Sequence, residues 1–156
     1  MASKHDKTGR SRQKLSQFFA IERYIFASPA FRSLTLPARA AYLEMLNAYN
    51  GSNNGRIAMS ANLMAGKLAT GRATANRALL ELEYKGFMES MRRGGFNMKS
   101  GSRRATEWRL TCYRCDVTGD RPAKTFMLWQ TGKIHFAVSS QSNSHESRNN
   151  IADLLR

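Results

Sequence analysis

Arg72, Thr74, Asn76 and Arg77 stand within six residues of one another, with the small Ala73 among them. An arginine can bond a guanine edge through two donors, and an asparagine can bond an adenine edge through a donor and an acceptor. Such side chains, close in sequence and carried at the start of a helix, suit the reading of base edges in a major groove. The competing reading of Asn76 and Arg77 is an ordinary solvated helix face. A second set lies in the stretch 92–104. Arg92, Arg93, Lys99, Arg103 and Arg104 are interleaved with Gly94, Gly95 and Gly101, and the stretch holds no acid. Arginine suits phosphate and narrow minor grooves, and glycine lets a loop follow a backbone. Phe96 and Met98 in that loop invite a wedge between bases, but packing within the loop is the expectation preferred here. A third set is Lys4, Lys7, Arg10, Arg12 and Lys14, opposed only by Asp6. It reads equally as a phosphate-tracking arm or as a solubilising tail.

Other chemistry is weakly represented. Cys112 and Cys115 have the spacing of half a zinc site, but a structural zinc takes four ligands and no second such pair exists. No metal and no cofactor is expected. The phosphate loop of nucleotide-binding proteins is missing from the sequence. The 11 acidic residues form no tight cluster for a catalytic magnesium, and no nucleophile, base and orienting acid stand in a known pattern. The expectation is therefore a protein without catalytic residues. The chain carries 25 Lys and Arg against those 11 acids, a formal net charge of +14 over 156 residues. That imbalance attracts a polyanion. No apolar run is long enough for a membrane span, and no secretory signal opens the chain. The expected location is the cytoplasm, in association with the nucleoid.

The elements that must position these sets follow from periodicity. Thr35 and Pro37 open a helix whose apolar face is Ala38, Ala41, Tyr42, Met45 and Tyr49, at spacings of three and four. The run 50–55, rich in Asn and Gly, stops it. Residues 56–59 read as a short strand. Ser60 caps a helix over 61–69, with Met64, Ala65 and Leu68 inward, and a tight turn over 70–72 leads to a third helix over 73–85. Ala75, Ala78, Leu79 and Leu82 form its inner stripe, so Ala73, Asn76, Arg77 and Leu80 face out. Gly86 ends it. A strand over 87–91, a basic loop over 92–104 and a returning strand over 105–111 complete the order. Trp108, Trp129 and the aromatics Phe18, Phe19, Tyr24 and Phe26 are read as core.

Helix, strand, helix, turn, helix, strand, basic loop and strand is an order with a known likeness. Ala78-Leu79-Leu80-Glu81-Leu82-Glu83-Tyr84-Lys85-Gly86-Phe87, together with the Ser60 cap and the stretch Leu36-Pro37-Ala38-Arg39-Ala40-Ala41-Tyr42, resembles winged helix-turn-helix DNA-binding proteins of bacteria, phages and plasmids. The likeness spans about half of the chain and speaks for a fold more than for a biological role. It implies an α+β fold, mostly α, with the third helix entering DNA and the basic loop acting as a wing on phosphate or the minor groove.

The organisation read from these features is a flexible basic arm (1–14), an apolar extension (15–33), the DNA-binding domain (34–111), an extension packing back on it (112–136) and a disordered Ser/Asn-rich tail (137–156). The expected function is sequence-specific binding of double-stranded DNA by a regulator of a bacterium or mobile element. Two other readings stay open: a replication initiator or accessory factor, and a nucleoid or RNA-binding protein that uses charge without reading bases. The apolar stretches 15–31 and 125–129 exceed what the minimal domain needs, which favours a homodimer.

Overall fold

The computed structural model describes residues 19–98 and 101–130. Among them five α-helices and a small antiparallel sheet make an α+β fold. Helices α1 (Arg23–Ala27) and α2 (Pro29–Arg32) are short and meet at Ser28. Pro29 begins α2 where its missing N–H costs little. The Ser28 hydroxyl accepts from the Phe31 N–H at 3.2 Å and donates to the Ile25 carbonyl at 2.7 Å. One side chain thus ends the first helix and starts the second.

Helix α3 (Leu36–Ala48) is capped by Thr35, whose hydroxyl accepts from the Ala38 N–H. Its inner stripe is Ala38, Ala41, Tyr42, Met45 and Leu46, with Tyr49 half-buried beyond its end. Asn53 holds the turn that follows. Its amide donates to the Ala48 carbonyl at 3.0 Å and accepts from the Asn50 N–H at 3.0 Å. Strand β1 (Ile57–Met59) buries Ile57 and Met59 and exposes Ala58, the alternation of a half-buried strand.

Helix α4 (Ala61–Lys67) is capped by Ser60, which accepts from the Leu63 N–H. The turn to α5 (Arg72–Tyr84) departs from the sequence expectation. Gly71 is the N-cap in an extended conformation, and the left-handed residue is Ala69, at φ 49°. The turn begins earlier than its glycine because α4 unwinds at Leu68. Helix α5 buries Ala75, Ala78, Leu79, Glu81 and Leu82.

Strands β2 (Met88–Arg92) and β5 (Thr106–Leu110) pair antiparallel, with β1 on the far side of β5, so the sheet order is β1-β5-β2. Gly86 turns the chain from α5 into the sheet at φ +79°, and a Cβ there would lie 2.8 Å from the Phe126 N. Both the backbone conformation and the space demand glycine. The stretch 92–104 is not the irregular loop that its composition predicts. It folds as β3 (Gly95–Asn97) and β4 (Ser102–Arg104), a separate two-stranded hairpin. Glycine is a poor strand former, and the ladder wins here because β2 and β5, paired with an irregularity between Ser90 and Arg92, bring the two ends together.

The core joins the two apolar extensions to the central elements. The Phe87 ring stacks on Phe126 at 4.9 Å and meets Tyr42 edge-on at 5.2 Å and Phe31 at 6.2 Å. Phe126 comes from the short 3-10 turn Thr125–Leu128, and Ile25 and Phe31 come from α1 and α2. Each fully buried side chain of this size stabilises the fold by about 1.5–3 kcal/mol. Phe19 and Phe26 correct the aromatic assignment: they are 45% and 50% exposed, while Tyr24 is half-buried. In α1 the single turn can bury only one side, and Ile25 occupies it. Phe18 lies outside the described residues. Trp108 is buried and its indole donates to the Met59 carbonyl at 2.9 Å; Trp129 is half-buried against the core.

Candidate nucleic-acid interface

The inner stripe of α5 sets its outer one. With Ala75, Ala78, Leu79 and Leu82 buried, Arg72, Ala73, Asn76 and Arg77 are exposed, Thr74 and Leu80 half-buried. Gly71 gives the helix no side-chain cap, and its first turn holds no acid. The first-turn N–H groups and two guanidinium groups therefore share one end of the helix. Among the described residues no carboxylate pairs with Arg72 or Arg77. Helix α4 packs on α5 across the turn, and the Lys67–Glu44 ion pair at 2.9 Å ties its end to α3.

The hairpin holds the second set. Arg92, Arg93, Arg103 and Arg104 are all exposed. Arg93 differs from the rest, because it meets Glu83 of α5 at 2.8 Å and lies over the Trp108 ring. Glu83 also accepts from the Ser90 hydroxyl at 2.9 Å. The stretch 92–104 contains no acid in sequence, yet α5 supplies one in space, and Arg93 fastens the hairpin root to the helix. Nothing in the local sequence announces this partnership, since Glu83 stands where the helix pattern alone asks for a polar residue. Gly94 lies where β2 hands over to the hairpin and the two strands come close. A Cβ there would lie 2.7 Å from the Arg104 carbonyl oxygen. Lys99 and the arm residues Lys4, Lys7, Arg10, Arg12 and Lys14 lie outside the described residues.

Packing within the loop is slight for Phe96, which meets only Arg103 of the same hairpin, and Met98 stays open to solvent. They are 58% and 87% exposed. Phe96 faces Arg103 across the ladder, and that guanidinium lies 5.8 Å from its ring centroid.

Two buried polar nodes hold the frame that presents these residues. Asn54 is fully buried. Its Oδ1 accepts from the Leu110 N–H at 2.6 Å, and its Nδ2 donates to the Leu110 and Arg114 carbonyls at 2.9 Å each. It locks the turn before β1 to the segment after β5. Glu81 accepts from the Thr35 hydroxyl at 2.6 Å, the Thr35 N–H at 3.0 Å and Lys85 at 2.8 Å, while Lys85 also donates to the Ser33 carbonyl. This node clamps the start of α3 to the end of α5.

The cysteines belong to the frame. Both are buried as free thiols. Burial pushes the Cys112 thiol up, and burial with Cys112 alongside pushes the Tyr42 hydroxyl far up, so both stay protonated. Burial also acts to raise Cys115, but hydrogen bonds from Thr118, the Val117 backbone and Arg109 outweigh it and hold that thiol below its ordinary value. Among the described residues no three His, Cys, Asp or Glu gather to hold a metal ion, and no helix is long and apolar enough to cross a membrane.

Comparison with protein-family models, curated proteins and solved structures finds no match.

Proposed function

We propose that this protein binds double-stranded DNA sequence-specifically, as a winged helix-turn-helix regulator of a bacterium or mobile element, with α4 and α5 as the helix-turn-helix and the β3–β4 hairpin as the wing. One observation carries the reading: the start of α5 presents Arg72, Asn76 and Arg77 outward around the small Ala73, with no pairing carboxylate among the described residues. An α-helix fits a major groove, and helix-turn-helix proteins read it with the first residues of their second helix. In this reading Arg72, Ala73, Thr74, Asn76 and Arg77 meet bases, and Arg92, Arg103 and Arg104 meet phosphate or the minor groove. Arg93 supports the hairpin root.

The test is selection of bound duplexes from a randomised pool, followed by competition against random DNA at fixed salt. A specific binder holds its site about 10³-fold or more above random DNA. Equal affinity for selected and random duplexes would overturn sequence reading and leave a charge-driven nucleic-acid binder.

Pairing of two copies belongs to the same proposal, since it doubles a short site. Of the two apolar stretches, Ile25, Phe31 and Phe126 fill the core of one copy. Among the described residues of those two stretches, the large apolar side chains left exposed for a partner are Phe19, Phe26, Met127 and Leu128. Light scattering of the protein, free and on DNA, reads the mass; a single-copy mass in both states removes the dimer.

A further inference from the structure

We infer that the hairpin tip is a wedge: Phe96 and Met98 insert into a base step of duplex DNA and unstack it. The inference rests on the DNA-binding reading and adds a mode of contact to it.

The β3–β4 pair is joined to the main sheet through Gly94 and forms no ladder with the other strands. A lone two-stranded hairpin is marginal in water. Beside Ser102, two kinds of side chain stand on it. Arg103 and Arg104 are cationic, and Phe96 and Met98 are large, apolar and turned to solvent. Single exposed apolar residues are common on proteins. Here two of them stand on one two-stranded hairpin beside exposed arginines, and the core that could have covered them is closed around Phe31, Tyr42, Phe87 and Phe126.

Charge complementarity identifies the occupant. Arg92, Arg103 and Arg104 have no carboxylate partner among the described residues, so the surface around the apolar pair favours phosphate. Duplex DNA offers both surfaces at once, phosphates outside and apolar base faces between its steps. The Phe96–Arg103 pair fits such an exchange. Without DNA the guanidinium covers the ring at 5.8 Å. On DNA the ring takes a base face and the guanidinium takes a phosphate. Apolar side chains inserted in this way partially unstack a step and bend the duplex. The cost falls where the step is already weak.

The experiment uses the full chain and two duplexes of one sequence, one intact and one with a central T·T mismatch, each with 2-aminopurine beside the centre. The wild type binds the mismatched duplex about tenfold more tightly and raises its fluorescence, because mismatching prepays the unstacking. The Phe96→Ala/Met98→Ala variant binds both duplexes within about twofold and leaves the fluorescence flat, with an unchanged melting temperature, because neither side chain is in the core. The Phe96→Trp variant keeps a ring and keeps the preference. Equal binding of both duplexes by the wild type without a fluorescence rise overturns the wedge alone. So does a preference that survives the double alanine variant. A stronger preference for single-stranded DNA also overturns it and points to stacking on unpaired bases. Failure to bind any duplex removes the DNA-binding reading itself, and the wedge with it.

Discussion

Arg77 and Asn54 show two opposite uses of a polar side chain. Arg77 projects from α5 with no acid holding it among the described residues, so its interaction energy is available to a partner. Arg77→Ala should weaken binding to the selected site by about 1–3 kcal/mol and relax base choice at one position. Competition binding against a panel of single-base variants of the site reads both effects. Unchanged affinity for site and panel would remove Arg77 as a base reader. Asn54 spends its polarity inside. Truncation would strand the buried Leu110 N–H and leave the Leu110 carbonyl only the Tyr113 N–H at 3.4 Å, and a buried unsatisfied group costs about 1–3 kcal/mol. Asn54→Ala should therefore lower stability by about 1–3 kcal/mol. Urea unfolding measures it as a lower midpoint at an unchanged slope. A shift of less than about 1 kcal/mol would mean that water replaces the amide in those bonds. Arg77 was legible in the sequence because helical spacing separates inner from outer residues. Asn54 was not, because its partners lie more than fifty residues away and a run of Asn and Gly reads only as a turn.

At the scale of elements, periodicity carried the reading where an element has a buried stripe to display. The caps Thr35 and Ser60 and most of the inner faces of α3 and α5 stand where the spacing puts them, but Leu46 and Glu81 join those faces and Tyr49 is only half-buried. The β3–β4 ladder was illegible, since its residues show no buried stripe and its glycine lacks strand propensity, and only the pairing of β2 with β5 imposes it. The turn between α4 and α5 was misplaced for a related reason. Gly71 marks it by type, yet the residue in the left-handed region is Ala69. A non-glycine residue held there costs about 1–2 kcal/mol, and glycine in its place loses about 0.4–1 kcal/mol through the freer unfolded chain. Ala69→Gly should therefore stabilise the fold by up to about 1 kcal/mol and raise the melting temperature by a few degrees. Ala69 precedes α5 and makes no side-chain contribution to its outer face, so affinity for DNA should stay unchanged. A lower melting temperature would place Ala69 outside the left-handed region in solution.

For the whole molecule the decisive quantity is charge that the fold leaves uncompensated. The chain carries +14. The fold pairs Lys67, Lys85, Arg93 and Arg109 with carboxylates and leaves Arg72, Arg77, Arg92, Arg103 and Arg104 without such a pair among the described residues. Contacts to phosphate release condensed counterions, so affinity should fall as salt rises, with a logarithmic slope of about −0.9 for each phosphate neutralised. Replacing Arg103 and Arg104 with alanine should weaken binding to the selected site and to random DNA by similar factors. It should also make that slope shallower by up to about two units. The melting temperature should barely move, since exposed charges contribute little to folding. A salt titration of wild type and double variant, on both DNAs, tests all of this together. Identical slopes and affinities would show that the hairpin does not touch DNA and would confine binding to α5 and the rest of the basic surface. A loss confined to the selected site would move these arginines from phosphates to base edges in the minor groove, where a narrow groove concentrates negative potential and attracts arginine.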